Sequence, residues 1–339
     1  MSRTRRARRT PARHWTTNVS AVVLPLVAAL GLASCGARLG SGSGPIEVSG
    51  SSTVAPITTL VAREGGFDVT VEAEGTGSGF ERFCAGETAI NNASTAIPGA
   101  GQPVDYVAQC EQSGIEFLEL PIGLDAISVV RNSQASFVDE LTRAELRSIW
   151  AADSGVSSWS QVRAEWPDEP IGLYGRPDTS GTHASFSHAI TQNADGLRTD
   201  YTATDDLAQL SQWIADDPGG LGYMGVGNYL STTHEHQARV TTVAVDGLQP
   251  SLADAQSGRY GNLTRPLFLY VSTKALEDEG VARFVEYYLE SAPSVLPRTY
   301  FYPLDRGAYI HTKERFAART AGTVYGGDPF ASIEAAQVP

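Results

Sequence analysis

Strand-like and helix-like runs alternate from Pro45 almost to the end of the chain, and this alternation limits the fold most tightly. "IEVSG" reads as a strand running into a turn, "TVAPITTLVAREGG" as a helix closed by glycines, and "FDVTVEAEG" alternates apolar and polar residues as a strand does. "SGFERFCAGE" then predicts a short helix, and "GIEFLELPIGLDAISVVRN" a long extended stretch. "TRAELRSIW" reads as a short amphipathic helix, "PIGLYGRP" as a strand and "SGTHASFSHAITQ" as a helix. A helix, a Gly-rich turn and a strand follow in "TATDDLAQLSQWIADDPGGLGYMG", then the strand "RPLFLYVST" and the amphipathic helix "GVARFVEYYLESA". Strands interleaved with helices specify an α/β fold. There is no internal repeat.

The 339 residues suffice for one large or two medium domains with a sizeable core. A charged fraction of 19% against 42% hydrophobic is a globular balance and argues against disorder. Charge is unevenly placed. Arg3, Arg5, Arg6, Arg8, Arg9 and Arg13 precede residue 35 with no acid among them, and the remainder carries 19 basic and 38 acidic residues. So acidic a body lacks the basic face that nucleic acid requires. No zinc-ligand spacing, GxxxxGKS/T loop or GxSxG elbow occurs, so neither metal nor cofactor is expected.

The first 34 residues read as an address: the basic "MSRTRRARRTPARHW", then the apolar "SAVVLPLVAALGLAS", too short to span a bilayer comfortably. The run ends in Leu32-Ala33-Ser34-Cys35, which resembles the lipobox of bacterial lipoproteins. That resemblance implies a signal peptide over 1–34, cleavage before Cys35 and lipid on its thiol. "GARLGSGSGP" follows as a flexible tether, placed at 35–44 with its Cys. Cys84 and Cys110 remain, and an exported chain permits a disulfide between them.

Three loops share a chemistry. "VSGSSTVAP" places Gly50-Ser51-Ser52-Thr53-Val54 between a strand and a helix. "EGTGSGFERF" places Gly75-Thr76-Gly77-Ser78-Gly79 in the same setting. "LYGRPDTSGTHASF" sets Arg176 four residues before Ser180-Gly181-Thr182, at the head of a helix, with Asp178 between them to orient the guanidinium. Hydroxyls here are ordinary helix caps. They also join free N–H groups and the positive end of a helix dipole, which suit an anion. Three such turns and one arginine point to a small tetrahedral oxyanion held between two lobes. Donors to a charged group are worth roughly 1.5–3 kcal/mol each, enough together for micromolar binding.

The chain resembles the PstS family, the phosphate-binding lipoproteins of the bacterial high-affinity phosphate ABC transporter, over about residues 45–325. The matching text is "GSSTVAP", "EGTGSGF", "GETAINNAS", "LTRAELRSIWAADSGVSSWSQVRAEWPDEPIGLYGRPDTSGTHASF", "GGLGYMG" and "RPLFLYVS". The resemblance implies a type II periplasmic-binding-protein fold, with lobe one over 45–124 and 268–330, lobe two over 125–267, and crossovers near "LPIGLDAIS" and "RPLFLYV". It implies that Ser52, Thr53, Val54, Ser78, Arg176, Ser180, Gly181 and Thr182 contact phosphate, with Asp178 holding Arg176. The implied role is non-enzymatic capture of phosphate at the outer face of the cell membrane and delivery to permease subunits.

One position departs from the family text. "GETD" is the usual form, its Asp accepting the proton that phosphate carries and sulfate lacks; here that residue is Ala89. Thr95 likewise stands where Arg often follows Ala-Ser. Weakened discrimination is therefore expected, with Asn91, Asn92 or Asp125 as substitute acceptors. The alternative is a paralogue binding another oxyanion, or a sensor or adhesion module. A hydrolase would need a base or metal beside its nucleophile, and only His183, directly after Thr182, is near the loops. Trp150, Trp159 and Trp166 read as packing residues, and His234, Glu235 and His236 as a solvated loop.

Overall fold

The computed structural model describes residues 44–331 apart from 194, 233–235 and 237. The signal segment, Cys35, most of the tether, His234 and Glu235 lie outside the described residues. No described helix is long and apolar enough to cross a membrane.

Three parallel strands begin the fold: β1 (Ile46–Gly50), β2 (Val69–Glu72) and β3 (Ile90–Ala93), with β1 between the other two. Helix α1 (Ala55–Gly65) follows β1 and α2 (Thr76–Cys84) follows β2. Ile57, Thr58, Val61 and Ala62 form the buried face of α1, at the spacing of one helical stripe. Gly66 stops the helix in the left-handed conformation, at φ 68°. Helix α3 (Tyr106–Gln112) is tied to the end of α2 by the Cys84–Cys110 disulfide.

Next comes β4 (Phe117–Asn132), buried along all 16 residues. Then follow β5 (Glu140–Leu141), α4 (Arg143–Trp150), β6 (Gly172–Gly175), α5 (Gly181–Thr191), β7 (Thr202–Ala203) and α6 (Leu207–Asp216). The rest comprises β8 (Gly220–Gly225), α7 (Val226–Ser231), β9 (Val240–Val245), α8 (Leu252–Gln256), β10 (Thr264–Ser272), α9 (Glu279–Val295) and α10 (Arg306–Ala317). Among the described residues the strands run in the order β2-β1-β3-β10-β4-β8-β6-β7, with β9 on β4 and β5.

Strand β4 links two halves of the fold. From Phe117 to Ala126 it pairs antiparallel with β10; from Ile127 onward it pairs with β8 and β9. The hydrophobic cores divide at the same place. Val48, Ile57, Leu120, Ile122, Leu269, Phe284 and Tyr288 belong to one, and Ile127, Val129, Leu146, Trp150, Phe186, Leu221 and Val243 to another. Trp150 meets Phe186, Tyr201 and Tyr223 edge-on at centroid distances of 5.7, 5.5 and 5.2 Å. Trp159 and Trp166 pack together at 5.8 Å, so all three tryptophans serve the core of the second half. Losing a buried ring of this size costs about 3–5 kcal/mol.

Candidate anion site

The turns that leave the carboxyl ends of β1, β3 and β6 meet: Arg176 after β6 reaches Ser52 after β1, and Gly181 packs against Ser94 after β3. In open α/β sheets this end carries ligands. Gly50 turns the chain out of β1 at φ 112°, and a Cβ there would lie 2.2 Å from both Asn91 Oδ1 and Asn92 O. Only glycine fits. Ser51 N–H then donates to Asn92 O at 2.9 Å, and Ser51 O accepts from the N–H groups of Val54 and Ala55, starting α1. The Val54 side chain belongs to the first core. Ser52 and Thr53 are buried at the turn.

Arg176 leaves β6 into the same space and is 1% exposed. Its backbone is held from both sides: Tyr201 Oη donates to its carbonyl at 2.6 Å, and its N–H donates to Tyr223 Oη at 3.3 Å. The guanidinium Nη2 donates to Ser52 Oγ at 2.6 Å and pairs with Asp205. Asp178 is exposed in the turn that follows, so the carboxylate orienting Arg176 is Asp205 and not the expected Asp178. Pro177 fixes the backbone between Arg176 and that turn and carries Asp178 outward. Ser180 caps α5, its Oγ accepting from Thr182 N–H at 3.1 Å. Thr182 Oγ1 lies 3.4 Å from Thr53 Oγ1, so the first and third loops meet hydroxyl to hydroxyl.

The second loop closes a different side. Gly77 N–H donates to Thr179 O at 3.0 Å, and Thr76 Oγ1 lies 3.1 Å from Ser94 Oγ. Gly181 fits against this pair; a Cβ there would sit 2.6 Å from Ser94 Oγ and 2.9 Å from Thr76 Oγ1. Ser78 is half-buried one turn into α2, and the hydroxyl that α2 sends to the junction is that of Thr76. Outside this seal lies a groove of about 330 Å³ that includes Thr95, Pro98, Val104, Tyr106 and Phe330.

A second buried cation completes the enclosure. Arg265 on β10 faces Asp125 on β4 in the strand register. Its Nε and Nη2 reach Asp125 Oδ2 at 3.2 and 2.8 Å, and Nη2 also reaches Thr182 Oγ1 at 2.7 Å and Thr53 Oγ1 at 3.5 Å. Burial pushes the Asp125 carboxyl up against the pull of Arg265, and pulls the Arg265 guanidinium down against that of Asp125. Arg176 Nε, Arg176 Nη1 and Arg265 Nη1 are buried without a hydrogen-bond partner. Asp125 Oδ1 is also buried without a partner, so three guanidinium nitrogens stand against one spare carboxylate oxygen of their ion pairs. A buried donor left unpaired costs about 1–3 kcal/mol, and an oxyanion supplies the missing acceptors. His183 stacks on Tyr201, and burial lowers its pKa.

Residues 36–292 match the family model described as the PBP superfamily domain. The protein SphX of Synechococcus elongatus is 36% identical over 83% of this chain and 84% of its own length. The phosphate-binding protein PstS of Staphylococcus saprophyticus is 30% identical over 78% and 82%. The chain is a PstS-like member of the PBP superfamily. A solved structure described as a possible phosphate binding protein, from Planctomyces limnophilus, is 36% identical with a TM-score of 0.59, covering 82% of this chain and 99% of that one. The two-lobed α/β architecture expected from the sequence is that of the family.

Within this PstS-like chain the expectation tied to Ala89 is overturned. Ala89 precedes β3, its N–H on Glu47 O and its carbonyl on Ser272 N–H, and it packs against the first core. The site lies at the other end of the strand. At 3.3 Å per residue, Ala89 and Ser94 stand roughly 16 Å apart, beyond the reach of a carboxylate. Ala89 therefore gives no ground for altered selectivity. Asn91 is wedged between Gly50 and Gly79, and Asn92 Oδ1 accepts from Thr58 Oγ1 at 3.0 Å while its Nδ2 is buried without a partner, so the Asn92 oxygen is already engaged by the scaffold. Arg265, Asp205 and Ser94 were not anticipated, and in the second loop the residue at the junction is Thr76 where Ser78 was expected. Arg265 did carry a signal: it is the one charged residue in the nine of β10.

Proposed function

We propose that this chain is an extracytoplasmic solute-binding lipoprotein that captures inorganic phosphate and passes it to the permease subunits of an ABC transporter. The carrying observation is the enclosed set of unpartnered guanidinium donors beside the hydroxyls of Ser52, Thr53 and Thr182. Lobe one is taken as 45–124 with 268–330 and lobe two as 125–267, closing about the β4–β10 crossing. Ser52, Thr53, Arg176, Ser180, Gly181 and Thr182 bind the anion, with Val54 and Ser78 at the edges of their loops. The N–H-to-carbonyl contact of Gly77 with Thr179 and the Thr76–Ser94 pair seal the enclosure, which favours an anion without an organic substituent. No step of bond making or breaking is assigned; the role is binding. The basic and apolar N-terminal run ending in Cys35 supports a lipid anchor at the outer face of the cell membrane.

A second reading keeps the site and changes its use. Relatives named SphX reach 36% identity where PstS of Staphylococcus saprophyticus reaches 30%, so a paralogue with its own oxyanion or a sensing role is the alternative to test. Titration with phosphate, sulfate and other oxyanions tests both. Saturable phosphate binding supports the first, and saturation by another oxyanion without phosphate transfers the reading to the second.

A further inference from the structure

The Arg265–Asp125 pair is an unusual thing to bury at a strand crossing. Arg265 is 4% exposed and Asp125 0% exposed, in two strands that are buried along their whole length. A buried ion pair adds little to stability over well-packed apolar residues, because desolvation offsets the attraction. Stability alone therefore does not account for it. The geometry offers another reason. Arg265 Nη2 reaches past Asp125 to the hydroxyls of Thr53 and Thr182, which come from opposite halves and belong to the first and third anion loops. Its Nη1 is buried with nothing to donate to, as are Nη1 and Nε of Arg176. Each arginine keeps one carboxylate, Asp125 or Asp205, so the protein alone is close to neutral at the site. Neither carboxylate occupies the spare donors.

We propose that Arg265 is a second anion-binding cation, that it and Arg176 grip a doubly charged tetrahedral oxyanion together, and that Asp125 holds back part of the charge of Arg265. This rests on the phosphate reading and names the charge state that reading requires. The charge at the site is already near balance, so the spare guanidinium donors decide: a phosphate dianion offers them three unprotonated oxygens where a monoanion offers two. A monoanion leaves one guanidinium under-used. Because Arg265 stands where β4 and β10 cross, its bond to the ligand is made when the Thr53 and Thr182 loops come together.

Calorimetric titration with inorganic phosphate at pH 8, where the dianion predominates, tests this in the wild type and three variants. Arg265→Gln in combination with Asp125→Asn removes both charges, so no unpaired charge is left buried. That double variant is expected to lose about 10- to 100-fold in affinity. Arg265→Lys restores part of the affinity that the double variant loses. Asp125→Asn alone frees the guanidinium and tightens phosphate binding several-fold. A purely structural pair gives the opposite sign, with Asp125→Asn neutral or weakening. Wild-type affinity in the double variant, or neutral or weakened binding in Asp125→Asn, overturns the assignment while leaving the phosphate reading in place. A wild type that binds no phosphate overturns both.

Discussion

Arg176 Nη2 donates to Ser52 Oγ across 2.6 Å, and 124 positions of sequence separate the two residues. One belongs to the first anion loop and the other to the third. The contact exists only because the two halves of the fold have come together over the β4–β10 crossing. On the proposed function, ligand would act on this contact by shifting a population between open and closed forms.

Gly181→Ala tests whether that closure is needed. The added methyl would meet Ser94 Oγ at 2.6 Å and Thr76 Oγ1 at 2.9 Å across the junction. Overpacking of this degree costs about 1–3 kcal/mol, and here the closed form bears it. Phosphate affinity should fall about tenfold or more, while the melting temperature without phosphate barely moves. Unchanged affinity would mean the loops never pack as closely as the structure has them.

The Cys84–Cys110 disulfide spans 26 positions between α2 and α3, away from the Thr76 end of α2. Closing a loop of that size restricts the unfolded chain by about 3 kcal/mol. Replacing both cysteines with serine should lower the urea midpoint accordingly and leave phosphate affinity nearly untouched. An unmoved midpoint would show that the bond contributes nothing to the folded state.

Glu145 predicts a pH dependence outside the site. It completes the capping box of α4 with Thr142 and accepts from Arg163 Nε at 2.6 Å. The Arg163 hydrogen bonds pull its pKa from 4.5 to about 2. A folded value below the unfolded one means the stability is fully present above about pH 4.5 and is lost as pH falls toward 2. Partial exposure screens the pair, so Glu145→Gln should cost about 1–2 kcal/mol at pH 7. The variant's stability should approach that of the wild type below pH 3. A constant gap down to pH 2 would assign the effect to packing rather than charge.

Strands β1, β2, β4, β6, β8 and β10, helices α1, α2, α4, α5, α6 and α9, and the three anion loops were legible because each is written in contiguous sequence; β3, β5, β7, β9 and the other helices were not read. A strand, a Gly/Ser/Thr turn and a helix start need no distant information. The cation partners were not legible. Arg265 meets Asp125 through a strand register spanning 140 positions, and Arg176 meets Asp205 across 29. Adjacency favoured Asp178 for that second role, but the turn after Pro177 leaves it exposed. Asp206 caps α6 through the N–H groups of Ala208 and Gln209, and its neighbour Asp205 is the one facing Arg176. Ala89 misled for a related reason: motif text gives the order of residues and not which end of a strand faces the ligand.

The most direct test of the account is calorimetric titration of the purified protein with inorganic phosphate, repeated with Arg176→Ala. The account predicts one site per chain, a dissociation constant at or below about 1 μM in the wild type, and loss of at least about 100-fold in the variant. No saturable phosphate binding by the wild type, or equal affinity in Arg176→Ala, would contradict it.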